Sequence, residues 1–257
     1  MKIAVITGAS SGMGRQYALQ MDQKGLDEIW VIARRENRLQ ELQQKLHTPV
    51  RVIPLDLTKQ ESIAQYENLL KEQNPAVSYL VNASGFGKFG SFERVSLQDC
   101  CDMIDLNVKA LVILTRVTLP YMKRGSHIIQ MCSSSAFLPL PYLNIYASTK
   151  AFILHYSKAL RTELKPKGIS ITAVCPYFVA TEFIGVAEER NPGLKHYKPL
   201  YKAEAVVRKA IADADRCKAM SVLGTYTKFF QYAAKFMPQC LLTAAWLNML
   251  ADETKKL

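Results

Sequence analysis

Several features are scarce or missing in this 257-residue chain, and each absence narrows the function. The most apolar stretch, between Lys235 and Asp252, holds sixteen uncharged residues and is interrupted by Pro238 and Gln239. A membrane-spanning helix needs about twenty apolar residues, so no transmembrane anchor is expected. The six cysteines (Cys100, Cys101, Cys132, Cys175, Cys217 and Cys240) show no metal-ligand spacing, and two are adjacent. With no signal peptide ahead of the first apolar run, the expectation is reduced thiols in a cytoplasmic compartment and no metal site. Basic runs and interleaved aromatics are also missing. Lys and Arg number 33 against 22 Asp and Glu, a net charge of +11, but they are scattered along the chain. Nucleic-acid binding is therefore not expected, and attraction of a polyanionic cofactor or an acidic substrate is the milder use of that charge. No internal repeat, low-complexity segment or linker divides the chain.

What is present is a globular composition, 49% hydrophobic, enough for one domain over residues 1–257. Short apolar runs at 2–7, 29–33, 50–55, 77–81, 126–132, 169–175 and 219–223 alternate with helical patterns. That alternation predicts a doubly wound parallel β-sheet of about seven strands flanked by helices, a three-layer Rossmann-like α/β fold. The pattern from Leu97 to Met122 predicts one long helix. Residues 182–225 begin without a clean period and are expected to cover the substrate. The tail 226–257 is expected to pack as a helical extension over the cleft or a subunit contact. Attachment of that tail to a membrane surface, aided by Lys228, Lys235, Lys255 and Lys256, is the other reading.

The first apolar run ends in Thr7-Gly8-Ala9-Ser10-Ser11-Gly12-Met13-Gly14, which leads into a helical stretch. A buried strand passing through glycines into a helix suits a dinucleotide: Gly8 for the tight turn, Gly12 for close approach of the pyrophosphate, Gly14 for packing helix on strand. Ser10, Ser11 and Met13 share that loop and are assigned to the same site. About twenty residues on, where an NAD-binding chain carries a carboxylate for the ribose 2′-hydroxyl, stand Ala33, Arg34 and Arg35. Two guanidiniums there would hold a 2′-phosphate, so NADP(H) is predicted over NAD(H). Arg38 fits a solvated helix face.

Tyr146 and Lys150 lie four residues apart in Tyr146-Ala-Ser-Thr-Lys150. On a helix they leave the same face, and a neighbouring Lys⁺ would bring the phenol below its usual pKa of about 10. Alone the pattern fits equally a half-buried Tyr beside a surface Lys.

The G-x-x-x-G-x-G turn, taken with Asn107, Ser133, Tyr146 and Lys150 in this order, resembles the short-chain dehydrogenase/reductase family over residues 1–181. The resemblance implies hydride transfer between a nicotinamide and a carbonyl or carbinol carbon. Tyr146 would be the general acid/base, Lys150 would lower its pKa and bind the nicotinamide ribose, and Ser133 would polarise the substrate oxygen. Ser134 and Ser135 leave that register open. It implies that Asn107 supports a proton path, although a satisfied amide bending its helix is the plain alternative. Asp56, with Leu57, would meet the adenine, or Asp56 would cap the helix that follows. Asn82-Ala83-Ser84-Gly85 resembles the family's Asn-Asn-Ala-Gly element near the adenine ribose. Pro176-Tyr177-Phe178-Val179-Ala180-Thr181 is close to Pro-Gly-x-Val-x-Thr, where Pro176, Val179 and Thr181 would hold the carboxamide. Tyr177 departs from that pattern and is placed beside the substrate, a small carbonyl or alcohol of apolar character. His196, Tyr197 and Tyr201 are weaker substrate candidates, and His127 reads as structural. The resemblance also implies a homodimer or homotetramer. The competing class is a non-catalytic NADP(H)-binding sensor or scaffold on the same fold.

Overall fold

In the computed structural model, which describes residues 1–255, strand and helix alternate from the start. The first part runs β1 (Lys2–Thr7), α1 (Gly12–Met21), β2 (Glu28–Ala33), α2 (Glu36–Gln43), β3 (Val50–Pro54), α3 (Gln60–Gln73) and β4 (Ala76–Asn82). The middle runs α4 (Leu97–Ile104), α5 (Leu111–Thr118), β5 (His127–Met131), α6 (Asn144–Leu164) and β6 (Ser170–Val174). After it come β7 (Phe178–Ala180), α7 (Glu182–Ala187), β8 (Leu200–Lys202), α8 (Ala203–Asp215), β9 (Met220–Ser221), α9 (Thr225–Phe236) and α10 (Gln239–Met249).

Seven strands form one parallel sheet in the order β3-β2-β1-β4-β5-β6-β9. Strand order reverses between β1 and β4. Crossovers leave there toward opposite faces, so their loops part and open a crevice beyond the carboxyl ends of the strands. Both faces of the sheet are covered. Along β1, Ile3 and Val5 pack with Tyr66 of α3, Leu114 of α5 and Leu164 of α6. Ala4 and Ile6 point the other way, toward Tyr17 of α1, Leu39 of α2 and Val207 of α8. Burial on two sides explains why the strands read as unbroken apolar runs. Each large side chain enclosed there contributes about 1.5–3 kcal/mol of transfer free energy. The three-layer doubly wound fold is the one the alternation implied.

Three details differ from the sequence expectation. The single helix from Leu97 to Met122 is α4, a π-helical turn over Asp105–Ala110, α5, and a 3₁₀ turn over Leu119–Tyr121. The π turn holds Asn107, which is almost fully enclosed. Residues 182–200, expected to be a loop with short helices, do contain the short helix α7, but they also run into a strand, β8, which pairs with β7 as a small parallel ribbon. The last sheet strand is only Met220–Ser221. The apolar tail divides at Pro238 into α9 and α10, and among the described residues no helix is long and apolar enough to cross a membrane. Lys256 lies outside the described residues.

Candidate active site

The switch-point crevice is a cleft of about 630 Å³, and its floor is the glycine turn. Gly8 sits at φ +68°, a region that L side chains rarely adopt, and a Cβ on it would come within 2.9 Å of the Ala83 backbone. A Cβ on Gly14 would lie 2.2 Å from the Gly8 carbonyl oxygen. No other residue fits either place without moving backbone. Ser11 at the N-cap of α1 makes no capping bond to the helix, which leaves the first-turn N–H groups and the positive end of the helix dipole facing the cleft. Ser10, Gly12 and Met13 also line it. The cradle fits a pyrophosphate.

Ala33, Arg34, Arg35, Asp56 and Leu57 line the far end of the cleft, and Ala83, Ser84 and Gly85 line its opposite side. Arg35 donates to Ser10 Oγ at 3.1 and 3.3 Å and to a Glu182 carboxylate oxygen at 2.9 Å. Arg38 reaches the other Glu182 oxygen at 3.4 Å. Glu182 is a functional candidate that the sequence reading missed, and its acidic side chain gave no signal at position 182 that its partners would be arginines near position 35. The Arg35 bond holds the Glu182 carboxyl below its usual range against a smaller rise from burial. Asp56 accepts from the Thr58 N–H at 3.0 Å and the Thr58 hydroxyl at 2.8 Å. Partial burial pushes the Asp56 carboxyl up, but these bonds and Arg34 win and hold it below the ordinary carboxylate range. Asp56 therefore closes a local turn and does not cap α3, whose N-cap is Lys59. Asn82, at the end of β4, turns its side chain away from the cleft. Its side-chain amide is enclosed and donates to Thr115 Oγ1 at 3.1 Å and Gln130 Oε1 at 2.9 Å, so it braces the sheet rather than lining the cleft.

The helix α6 carries Tyr146 and Lys150 on one side, both buried. Lys150 Nζ lies 5.4 Å from the Tyr146 ring centroid and donates to the Met131 carbonyl at 2.8 Å. It sits beneath the cleft wall, since a Cβ on Gly85 would come 3.5 Å from it. Burial lowers the Lys150 pKa to about 8, opposed by the neighbouring Cys132 and Cys175 thiols. The expected lowering of the Tyr146 pKa is not what the structure gives. Burial pushes the phenol above its ordinary range, a hydrogen bond with Ser133 pulls the other way, and Cys132 adds to the rise. Desolvation of the phenolate outweighs an ammonium that is itself turned to a carbonyl.

Ser133 follows β5 in extended backbone, and its hydroxyl accepts from the Ser135 N–H at 3.1 Å. Of the three serines, Ser133 is the one bonded to Tyr146. Asn107 accepts from the Phe86 N–H at 3.0 Å and donates to the Phe86 carbonyl at 2.9 Å and to Thr149 Oγ1 at 3.1 Å. Both of its donors are spent on protein, so the side chain positions the 85–87 loop against α6. His127 is occupied structurally, bonded to Ser170 Oγ at 2.7 Å and stacked on Tyr79.

Beyond Tyr146 opens a second cavity of about 330 Å³ with a mainly apolar wall. Ser133, Tyr146, Pro176 and Val179 line it, and Met13, Thr181 and Phe183 belong to both spaces. Tyr177 stands in its wall, with ring centroids 5.1 Å from Tyr226 and 5.9 Å from Phe230. Tyr197 lines it and donates to Glu188 at 2.6 Å, whereas His196 is exposed and does not. Tyr201 packs against the main core instead. Phe89, Phe183 and Trp246 are among the aromatic side chains of that wall. None of these three stood out in the sequence, because no local spacing joins positions 89, 183 and 246.

Residues 2–191 match the family model described as short chain dehydrogenase. An uncharacterized oxidoreductase of Staphylococcus epidermidis is 33% identical over 182 residues, covering 70% of this chain and 79% of that protein. A very-long-chain 3-oxoacyl-CoA reductase of Rattus norvegicus is 32% identical over 218 residues, covering 81% of this chain and 67% of that protein. Among solved structures, a short-chain dehydrogenase from Sphingobium yanoikuyae in complex with NADPH superposes with a TM-score of 0.79 at 27% identity, covering 95% of this chain and 96% of that one.

Proposed function

This chain belongs to the short-chain dehydrogenase family and is an oxidoreductase, and from that premise we propose that it reduces the carbonyl of a bulky apolar ketone or aldehyde with NADPH. The observation that carries the reading is the position of Tyr146 and Ser133, in the wall of an apolar cavity that shares Met13, Thr181 and Phe183 with the glycine-floored cleft. Arg34 and Arg35 at the far end of the cleft, in place of a carboxylate after β2, support NADP(H) over NAD(H), as does the NADPH in the Sphingobium relative. The cradle of Gly8, Gly12 and Gly14 would hold the pyrophosphate, and Pro176, Val179 and Thr181 would hold the carboxamide. When bound, the cofactor supplies the hydride.

The protein's own residues handle the oxygen. Ser133 donates a hydrogen bond to the carbonyl oxygen and fixes it beside Tyr146, stabilising the charge that develops there. Tyr146 delivers the proton to that oxygen as general acid. Its raised pKa keeps it protonated at neutral pH, the form that reduction needs. Lys150, beneath Gly85, would hold the ribose and return positive charge toward the phenolate after the proton leaves. Asn107 keeps the loop and α6 in register. Phe89, Tyr177, Phe183 and Trp246 exclude water and favour an apolar substrate.

A homo-oligomer in the cytoplasm completes the proposal. The α4–α5 face, with exposed Ile104, and Phe152 on α6 offer an apolar surface for a second subunit, and the six cysteines are free. The test is absorbance at the nicotinamide band with NADPH and with NADH, against grouped ketones, aldehydes and alcohols. Turnover with NADPH and apolar ketones or aldehydes is expected; cofactor binding without turnover on any group would favour a sensor and end the enzymatic reading.

A further inference from the structure

We infer that the outer face of the α9–α10 hairpin seats on the surface of an anionic phospholipid bilayer, with the mouth of the apolar cavity turned toward the lipid. The hairpin is two-sided. Its inner face is accounted for: Phe230 lies 6.4 Å from Phe137 and 5.9 Å from Tyr177, Ala233 is buried, and Trp246 donates to the Pro141 carbonyl at 2.8 Å. Among the described residues the outer face has no such cover. Phe229, Tyr232 and Phe236, spaced three and four residues apart on one side of α9, are 68%, 62% and 73% exposed. Leu241 on α10 is 56% exposed and extends the strip. A monomeric soluble protein seldom leaves large side chains contiguous and bare without a partner.

Charge identifies the partner as an anionic lipid surface. From Arg216 to Ala251, thirty-six residues, there is no Asp or Glu, while the hairpin itself carries Lys228 and Lys235. Lys228 and Lys235 border the aromatic strip, and Lys235 lies with its ammonium 5.3 Å from the Phe236 ring centroid. Aromatics with flanking lysines on one face of a helix are the composition of a segment lying in the interface plane. The cavity argues against a second copy of this chain in the same place. Phe229 and Met237 belong both to the exposed face and to the cavity wall, so a subunit seated there would close the cavity, whereas a bilayer would open it to apolar molecules dissolved in the lipid.

The inference does not depend on the reaction, so its test reads binding rather than turnover. The intact protein is floated at low ionic strength with phosphatidylcholine vesicles and with mixed phosphatidylcholine–phosphatidylglycerol vesicles. Co-flotation with the mixed vesicles, weakened by added salt, is expected. The variant Tyr232→Ser/Phe236→Ser/Leu241→Ser, whose three residues lie outside the cavity wall, should partition on the order of 100-fold more weakly. The variant Lys228→Gln/Lys235→Gln replaces only exposed charges and keeps the fold testable should the first variant misfold. It should lose on the order of tenfold toward the mixed vesicles alone. The proposal falls if the intact protein stays with the unbound fraction, if the folded triple variant floats as well as the parent, or if the charge variant does. It falls equally if the triple substitution leaves flotation intact but lowers the oligomeric state by light scattering, which would make the face a subunit contact.

Discussion

The cleft and the apolar cavity share Met13, Thr181 and Phe183 as a common wall, yet they are made of different material. The floor of the cleft is backbone, with glycines at a strand-to-helix turn and a helix end beside the ends of β1, β2 and β4. The cavity is side chain, drawn from segments as distant as Phe89, Phe183 and Trp246. A backbone site is fixed by the few residues whose steric demands shape it, and those stand close together in sequence. A side-chain site can be rebuilt one residue at a time without disturbing the turn beside it. The two should therefore fail separately, and only residues at the junction should disable chemistry while sparing both.

Tyr146 is that junction, and its loss should have the largest effect. Tyr146→Phe removes the proton donor but keeps the ring that packs 5.2 Å from Phe183. General acid–base catalysis contributes on the order of 10²–10⁴-fold, so kcat should fall by that much while NADPH affinity, by fluorescence titration, stays within about threefold of the parent. Substantial remaining turnover would move the acid elsewhere and dissolve the junction.

The next pair sets the two regions against each other. Gly14→Ala drives a Cβ into the Gly8 carbonyl, so the turn must open. NADPH affinity should weaken roughly 10- to 100-fold, about 1.4–2.7 kcal/mol, with any loss in kcat/KM recovered at saturating cofactor. Tyr177→Ala enlarges the cavity and should lower kcat/KM for a bulky apolar ketone by roughly tenfold with NADPH affinity unchanged. If both variants change both constants alike, the two spaces are one energetic unit and the contrast fails.

The same contrast explains what the sequence disclosed. The glycine turn, the parallel strands and the Ser133–Tyr146–Lys150 spacing are local or carried by one element, so they could be read in order. The electrostatics could not. Whether Lys150 lowers the Tyr146 pKa depends on which way its ammonium turns, and the nearest acceptor is the Met131 carbonyl, supplied by β5. Asn82 is assigned through the resemblance of Asn82-Ala83-Ser84-Gly85 to a family element, which does not say that its amide turns inward to Thr115 and Gln130. The π turn around Asn107 was hidden because the apolar spacing of one added residue still reads as helix.

Lys150 gives a smaller, pH-dependent test of the buried side of the junction. Its pKa is about 8 in the folded protein and about 10.4 in an unfolded chain. Between those values the unfolded chain binds a proton that the folded one does not, so stability from this group rises with pH. The slope approaches about 1.4 kcal/mol per pH unit, and below pH 8 the full cost of burying the charge remains. Denaturant unfolding from pH 8 to pH 10 should show that the parent gains stability relative to Lys150→Met. Parallel pH profiles would mean that Lys150 keeps its charge throughout.

The smallest effect is expected at Glu182, where the substrate-side helix α7 touches the cofactor side. Its carboxylate bonds both Arg35 and Arg38, so in this state it competes for the guanidinium that a 2′-phosphate would use. The side chains of the Arg35–Glu182 pair are 43% and 47% exposed, and exposed pairs contribute only about 0–1 kcal/mol. Removing the charge cannot then strengthen phosphate binding by more than roughly fivefold. Glu182→Gln should tighten NADPH about two- to fivefold and leave NADH unchanged, since NADH brings no phosphate to Arg35. The gain should shrink as salt rises, because both partners face solvent. Equal tightening of the two cofactors would place the effect in closure of α7 over the common part of the cleft, and weaker NADPH binding would make Glu182 an organiser of Arg35 rather than its competitor.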